Sequence, residues 1–214
     1  MKKQLTFLFL LIAVASFAGK GLVVTQTYNS GKDGQHISVT WYVTQAQCKL
    51  KMQFSDKDLN TTSYFIPNTQ SNQLVTYSEA AAATQKVYYS IPVGNIKAAV
   101  EVPTIERTSQ TKELGGLLCE KIIAKTANTT TEMWVTKDFK GDYYQFASFF
   151  KSSYELKALS AGAVKGFPLA SVTKDATGKV VSSYELVSVS STEIADTEFT
   201  APADYKNAAE VKAK

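Results

Sequence analysis

"HISVTWYVTQAQCKLKMQFS", residues 36–55, decides how the chain is to be read. Ile37, Val39, Trp41 and Val43 fall on one parity, and Ser38, Thr40, Tyr42 and Thr44 on the other. After a break at Gln45-Ala46-Gln47, Cys48, Leu50, Met52 and Phe54 alternate with Lys49, Lys51, Gln53 and Ser55. Successive side chains of a strand point to opposite faces, so each run has a dry face and a wet one. The pattern specifies antiparallel strands with one face on a core and the other in water.

The same period continues outward through residues 21–29, 61–67, 73–78, 86–92, 106–113, 117–126, 130–137, 168–174 and 179–190. These runs are rich in Val, Ile, Thr, Tyr and Phe and are bounded by Gly, Asn, Asp and Pro. Turns such as Ser30-Gly31-Lys32-Asp33-Gly34 and Asp175-Ala176-Thr177-Gly178 are of hairpin length, which predicts that consecutive strands are neighbours. Residues 142–159 break the period, because Tyr143, Phe146, Phe149, Phe150 and Leu156 recur at helical spacing. Asp142 with Gln145 makes a capping pair, and Gly162 supplies a stop. A shorter helical patch is expected over 78–84, where four alanines follow Glu79. The expected class is mainly β with some α: a large curved antiparallel sheet and one principal aromatic-faced helix.

Lys2 and Lys3 precede an apolar run from Leu5 to Val14, and small residues close it at Ala13, Ala15, Ser16 and Ala18. This reads as a secretory signal peptide over 1–18, with the mature chain starting at Gly19. The run is shorter than the roughly 18–20 residues that a membrane span needs, and no later segment reaches that length. No cysteine follows the cleavage site to carry a lipid anchor, so the expected location is periplasmic or secreted. The rest fits one domain over 19–207 with a flexible lysine-containing tail over 208–214. Two of the 23 basic residues lie in the signal segment, leaving 21 against 19 acidic ones. Arg107 is the only arginine, and lysine lacks the planar fork that suits phosphate recognition, which argues against nucleic acid as a partner.

Cys48 and Cys119 are an even number in an oxidising compartment, and a disulfide and two buried thiols both remain open readings. A nucleophilic cysteine wants a base, and His36 is the only histidine. One histidine, with no HExxH, CxxC or EF-hand loop, points to neither metal nor cofactor. Glu185 with Glu193, and Glu101 with Glu106, are conceivable carboxylate pairs, but scattered acids on strands belong to the wet face. There is no Gly-x-Ser-x-Gly elbow and no phosphate-binding glycine loop. The chain therefore reads as non-catalytic. Trp134 reads as framework, since both parities of its strand carry apolar groups, and Trp41 reads as core before ligand contact.

Four features carry a family resemblance: the Gly-x-x-Cys step at Gly116–Cys119, Trp-Val-Thr at Trp134–Thr136, Gly-Phe-Pro-Leu at Gly166–Leu169, and the closing Phe199, Pro202 and Tyr205. In these the chain resembles a family of secreted bacterial domains of unknown function grouped with the LolA/LolB lipoprotein-carrier fold. The resemblance covers about half of the mature chain, and the N-terminal strands agree in pattern only. It implies a half-barrel of roughly eleven strands whose apolar concave face is covered by helices, and it implies no activity.

Pattern and resemblance together name a candidate apolar site. Val39, Trp41, Val43, Leu50, Met52 and Phe54 would line it from the sheet, and Phe146, Phe149 and Phe150 would cover it from the helix. The expected ligand is a lipid, an acyl chain or a lipoprotein anchor. The alternative is an envelope structural or protein-interaction module with a packed interior.

Overall fold

The computed structural model describes residues 18–31, 36–56, 59–80, 85–93, 103–139, 146, 149 and 164–211. Their strands are β1 (Ala18–Ser30), β2 (His36–Thr44), β3 (Cys48–Asp56), β4 (Leu59–Asn68), β5 (Gln73–Ala80) and β6 (Val87–Pro92). A second series follows with β7 (Thr104–Leu114), β8 (Leu117–Lys125), β9 (Thr129–Thr136), β10 (Phe167–Asp175), β11 (Val180–Ala195) and the two-residue β12 (Lys206–Asn207). They form one twelve-stranded sheet in the order β12-β6-β5-β4-β3-β2-β1-β11-β10-β9-β8-β7. Each long run read from the alternation is a strand. Consecutive strands are neighbours through β1–β6 and through β7–β11, and the two series are sewn together by β1 against β11, from Ala18 opposite Ala195 to Ser30 opposite Ser182. β6 and β7, adjacent in sequence, lie towards opposite edges of the open sheet.

The helices depart from expectation. Residues 78–80 are the end of β5, with Ser78 opposite Ser63 and Ala80 opposite Thr61. A partner strand already in register outweighs the helix propensity of alanine, which is worth only tenths of a kcal/mol per residue. Residues 81–84 lie outside the described residues. So does the segment expected as the main helix, 142–159, apart from Phe146 and Phe149: Phe146 is helical, and the Phe149 N–H donates to its carbonyl at 3.1 Å. Otherwise the described helical structure consists of a 3-10 turn, Asp196–Phe199, and one α-turn, α1 (Ala208–Val211). α1 falls at the start of the tail expected over 208–214, and its Ala208 is buried. Residues 1–17 and 212–214 are outside the description.

Two apolar clusters lie on opposite faces of the sheet. The larger gathers Leu22, Val24, Ile37, Val39, Trp41, Val43, Cys48 and Leu50 from β1–β3, together with Phe139, Phe146, Val164, Phe167 and Leu169. The smaller lies on the other parity, where Ile66, Tyr77 and Ile194 meet Phe199 and Tyr205 from the C-terminal segment. That segment leaves β11, crosses the outer face and ends as β12, which pairs in parallel with Val87 and Tyr88 of β6. Tyr64 stacks on Tyr77 at 4.5 Å, and Tyr205 meets Tyr77 edge-on at 5.0 Å. The closing Phe199 and Tyr205 of the sequence motif are thus the anchors of a strap.

Candidate functional site

Register arranges the inner face in rows. One row runs Val24, Trp41, Leu50, Phe65, Thr76, Tyr89 from β1 to β6. A second runs Gln26, Val39, Met52, Ser63, Ser78, and a third Tyr28, Ile37, Phe54, Thr61. Along the first row cover is lost progressively: Val24 is 0% exposed, Trp41 5%, Leu50 6% and Tyr89 49%, with Phe65 and Thr76 partly buried. The third opens in the same direction, from Ile37 at 9% to Phe54 at 36%. The apolar core thus runs out into a half-open strip on β3–β6, where Phe65, Leu74, Tyr89 and Ile91 are interleaved with the hydroxyls of Thr61, Ser63, Thr76 and Ser78.

The candidate residues divide at that boundary. Val39, Trp41, Val43, Leu50 and Phe146 are packed together in the core. Met52 is partly buried against it, and Phe54 is exposed. Phe149 is buried but lies outside this cluster, and Phe150 lies outside the described residues. Alternation alone did not single out Phe65, Leu74, Tyr89 and Ile91, which extend the inner face onto β4–β6. The signal was present, since Leu74 opposes Ile91 and Tyr89 shares its parity, but using it requires the register of five strands.

The centre of the face is pinned by one polar side chain. Gln26 is buried, accepts the Trp41 indole N–H at 3.1 Å, and donates its amide to the carbonyls of Pro168 at 3.1 Å and Leu169 at 2.9 Å. The register between β10 and β9 shifts at Pro168–Ala170, so this irregular backbone needs partners outside the ladder, and Gln26 supplies them. Trp41 also meets Phe167 edge-on at 5.9 Å, and Phe139 meets the same ring at 6.2 Å. Trp41 is core, held from both ends.

Cys48 and Cys119 are free and buried, so the disulfide weighed from the sequence is not formed. They lie on β3 and β8, with five strands between them in the sheet order. Burial pushes the Cys48 thiol far above its ordinary range. Burial likewise pushes the Cys119 thiol up to about 11, with Lys112 pulling the other way. Lys112 sits 4.1 Å over the Trp134 ring, on the framework hairpin β8–β9.

The acidic candidates are dispersed. Glu106 is paired with Lys125 at 2.9 Å, and Glu185 accepts from Asn29 at the surface. Glu193 is exposed, eight positions along β11 from Glu185, and Glu101 lies outside the described residues. His36 is exposed and bonded to Asn29. Among the described residues no helix is long and apolar enough to cross a membrane.

The chain belongs to the family described as Domain of unknown function (DUF4412), whose profile matches residues 20–205. None of the curated proteins matches. Among solved structures, an uncharacterised conserved protein from Thermus thermophilus is similar at a TM-score of 0.51 and 11% identity, covering 90% of this chain and 91% of that one. PNGF-II is similar at a TM-score of 0.47 and 16% identity, and MucB at 0.41 and 9%. The match covers 91% of this chain and 32% of the PNGF-II chain, and 86% of this chain and 58% of the MucB chain, so this chain spans about a third of PNGF-II. The likeness to the Thermus protein carries the fold and nothing further. The expected membership in a family of domains of unknown function holds.

Proposed function

We propose that the protein is a non-catalytic binder of an apolar chain, a lipid or acyl group, acting in the periplasm or after secretion. The chain would lie on the inner face of β3–β6, over Met52, Phe54, Phe65, Leu74, Tyr89 and Ile91, and not in the packed centre around Trp41. One observation carries the reading: the apolar core opens along its own rows into exposed Phe54, Tyr89 and Ile91. Exposed apolar side chains at the margin of a core, set among hydroxyls that can fix a ligand's orientation, suit an apolar ligand. Each methylene covered there contributes about 0.8 kcal/mol. The compartment rests on the signal segment 1–18.

The test is titration of the mature protein with N-phenyl-1-naphthylamine, followed by displacement with fatty acids and alcohols of graded length. Affinity should rise with chain length, and the double variant Phe54→Asp, Ile91→Asp should lose it while keeping a cooperative melt. Absence of uptake across the whole panel sinks the reading.

A second reading has its own support. Val39 at 2% exposure and Val43 at 0% leave the middle of the face fully packed, as an envelope interaction module would have it. In that case the open strip meets a protein, and the double variant loses a cross-linked envelope partner while lipid titrations stay flat in the native protein too.

A further inference from the structure

One level of the inner face departs from the apolar rule. Ser30 of β1 lies opposite Ser182 of β11, Ser182 opposite Thr173 of β10, and Thr173 opposite Thr131 of β9. Directly opposed residues share a face, and Ser30 shares parity with Val24, Gln26 and Tyr28, so this row of hydroxyls points inward. Thr173 is 0% exposed, Thr131 2% and Ser182 4%. Thr131 and Thr173 bond to each other at 3.0 Å. The buried Ser182 Oγ has no hydrogen-bond partner among the described residues. On the neighbouring level the rings of Tyr28 and Tyr184 lie 4.8 Å apart.

Natural interiors pair their buried polar groups, so an unpaired buried hydroxyl calls for a reason. We propose that the Ser182 row is the polar subsite of the apolar-chain site and takes an uncharged hydroxyl or ester carbonyl at the end of that chain. This rests on the binding reading given above. Ser182 Oγ would exchange a hydrogen bond with the head, and Thr173 and Ser30 would flank it. The row contains no charged side chain, so a carboxylate or phosphate would be stripped of water there without compensation, which selects neutral heads. Distance fits as well. Tyr184, Tyr28, Ile37 and Phe54 form one continuous level across β11, β1, β2 and β3. Three strand spacings make about 14 Å, close to the extended length of a dodecyl chain. Ser182 lies two residues along β11 from that level, so the diagonal from it to Phe54 is about 16 Å. A chain of about twelve carbons with its head at Ser182 ends at the margin of the open strip, while a longer chain continues onto β3–β6.

The experiment compares dodecan-1-ol, dodecane and dodecanoate as displacers of N-phenyl-1-naphthylamine from the native protein and from Ser182→Ala. Native protein should prefer the alcohol to the alkane and to the carboxylate. Ser182→Ala should lose about tenfold in affinity for the alcohol, what one neutral hydrogen bond supplies, with dodecane unchanged. The ligand-free variant should melt no lower than the native protein, because no internal bond is removed. Thr173→Val provides a second variant and should erode the same preference. If all three ligands displace the probe equally, or if Ser182→Ala lowers the melt and leaves the preference intact, Ser182 is a structural or water-bonded hydroxyl and the subsite is overturned. If the native protein takes up neither probe nor dodecane, the binding reading itself fails, an outcome distinct from loss of head-group preference.

Discussion

Trp41 donates its indole N–H to Oε1 of Gln26 at 3.1 Å, and through Gln26 it is tied to the backbone of β10 on the far side of the β1–β11 seam. The link joins both strand series at the centre of the core. Trp41→Phe keeps an aromatic ring but leaves the buried Gln26 oxygen without its donor. It should cost about 1–3 kcal/mol for the unpaired group, with a further loss for the missing volume. Gln26→Leu should cost at least as much, because two carbonyls lose their donor. Urea denaturation of the two variants checks both values.

The two thiols should be silent in the native protein. Burial holds both as neutral thiols near pH 8, so iodoacetamide should modify neither until the chain is unfolded, and then both. The pH dependence has a definite sign. A thiol whose folded pKa is raised ionises first in the unfolded chain, so its contribution is intact below its ordinary value near 9.0 and is lost as pH climbs towards about 11. Burial raises the hydroxyls of Tyr42, Tyr64, Tyr77 and Tyr205 as well, which adds to the loss above their ordinary value of 10.0. Melting temperature measured from pH 7 to 11 should be flat at first and then fall steadily. A rise anywhere above pH 9 would contradict this account.

The ion pair under the strap is unequal in its two halves. Lys49 and Glu198 are 2.9 Å apart, with the lysine side chain 9% exposed and the glutamate 46%. Lys49 also lies 5.2 Å over the Tyr42 ring and 5.1 Å over Tyr64. Removing the exposed partner strands a buried ammonium, so Glu198→Gln should cost about 1–3 kcal/mol. Lys49→Met leaves only a solvated carboxylate and should cost less than about 1 kcal/mol. Equal losses in guanidinium denaturation would refute the asymmetry.

Gly166 is required by its surroundings. Its φ is +112°, and an added Cβ would lie 2.1 Å from the Thr136 carbonyl oxygen and 2.9 Å from Val135 Cγ1. Gly166→Ala should destabilise by about 1–3 kcal/mol from backbone strain alone, more with the clash. Gly178→Ala, where φ is +84° but nothing lies within 4 Å, should cost less. Thermal melts of the two variants rank them.

The candidate site was half legible in the sequence. Val39, Trp41, Val43, Leu50, Met52 and Phe54 share the inner face because alternation places them there whatever the rest of the chain does. Their roles could not be read the same way. Val39 and Val43 are sealed while Phe54 is open, and only the position of each along a cross-strand row separates them. Gln26, a polar residue in an apolar run, gave no sign of the three bonds that make its burial tolerable. The short helix expected over 78–84 failed where β4 was available as a partner for β5. The closing Phe199 and Tyr205 were visible as a motif, but their place on the outer face was not.

Local periodicity by itself determined the strands, their dry and wet faces and the hairpin connections, because the direction of a side chain in a strand depends only on its immediate neighbours. Tertiary structure alone decided that β1 pairs with β11, that β6 and β7 lie towards opposite edges, that the C-terminal strap crosses the outer face, and which stretch of the inner face stays uncovered. Strands more than 150 residues apart are matched by the packing of the whole sheet, which no local window of sequence contains.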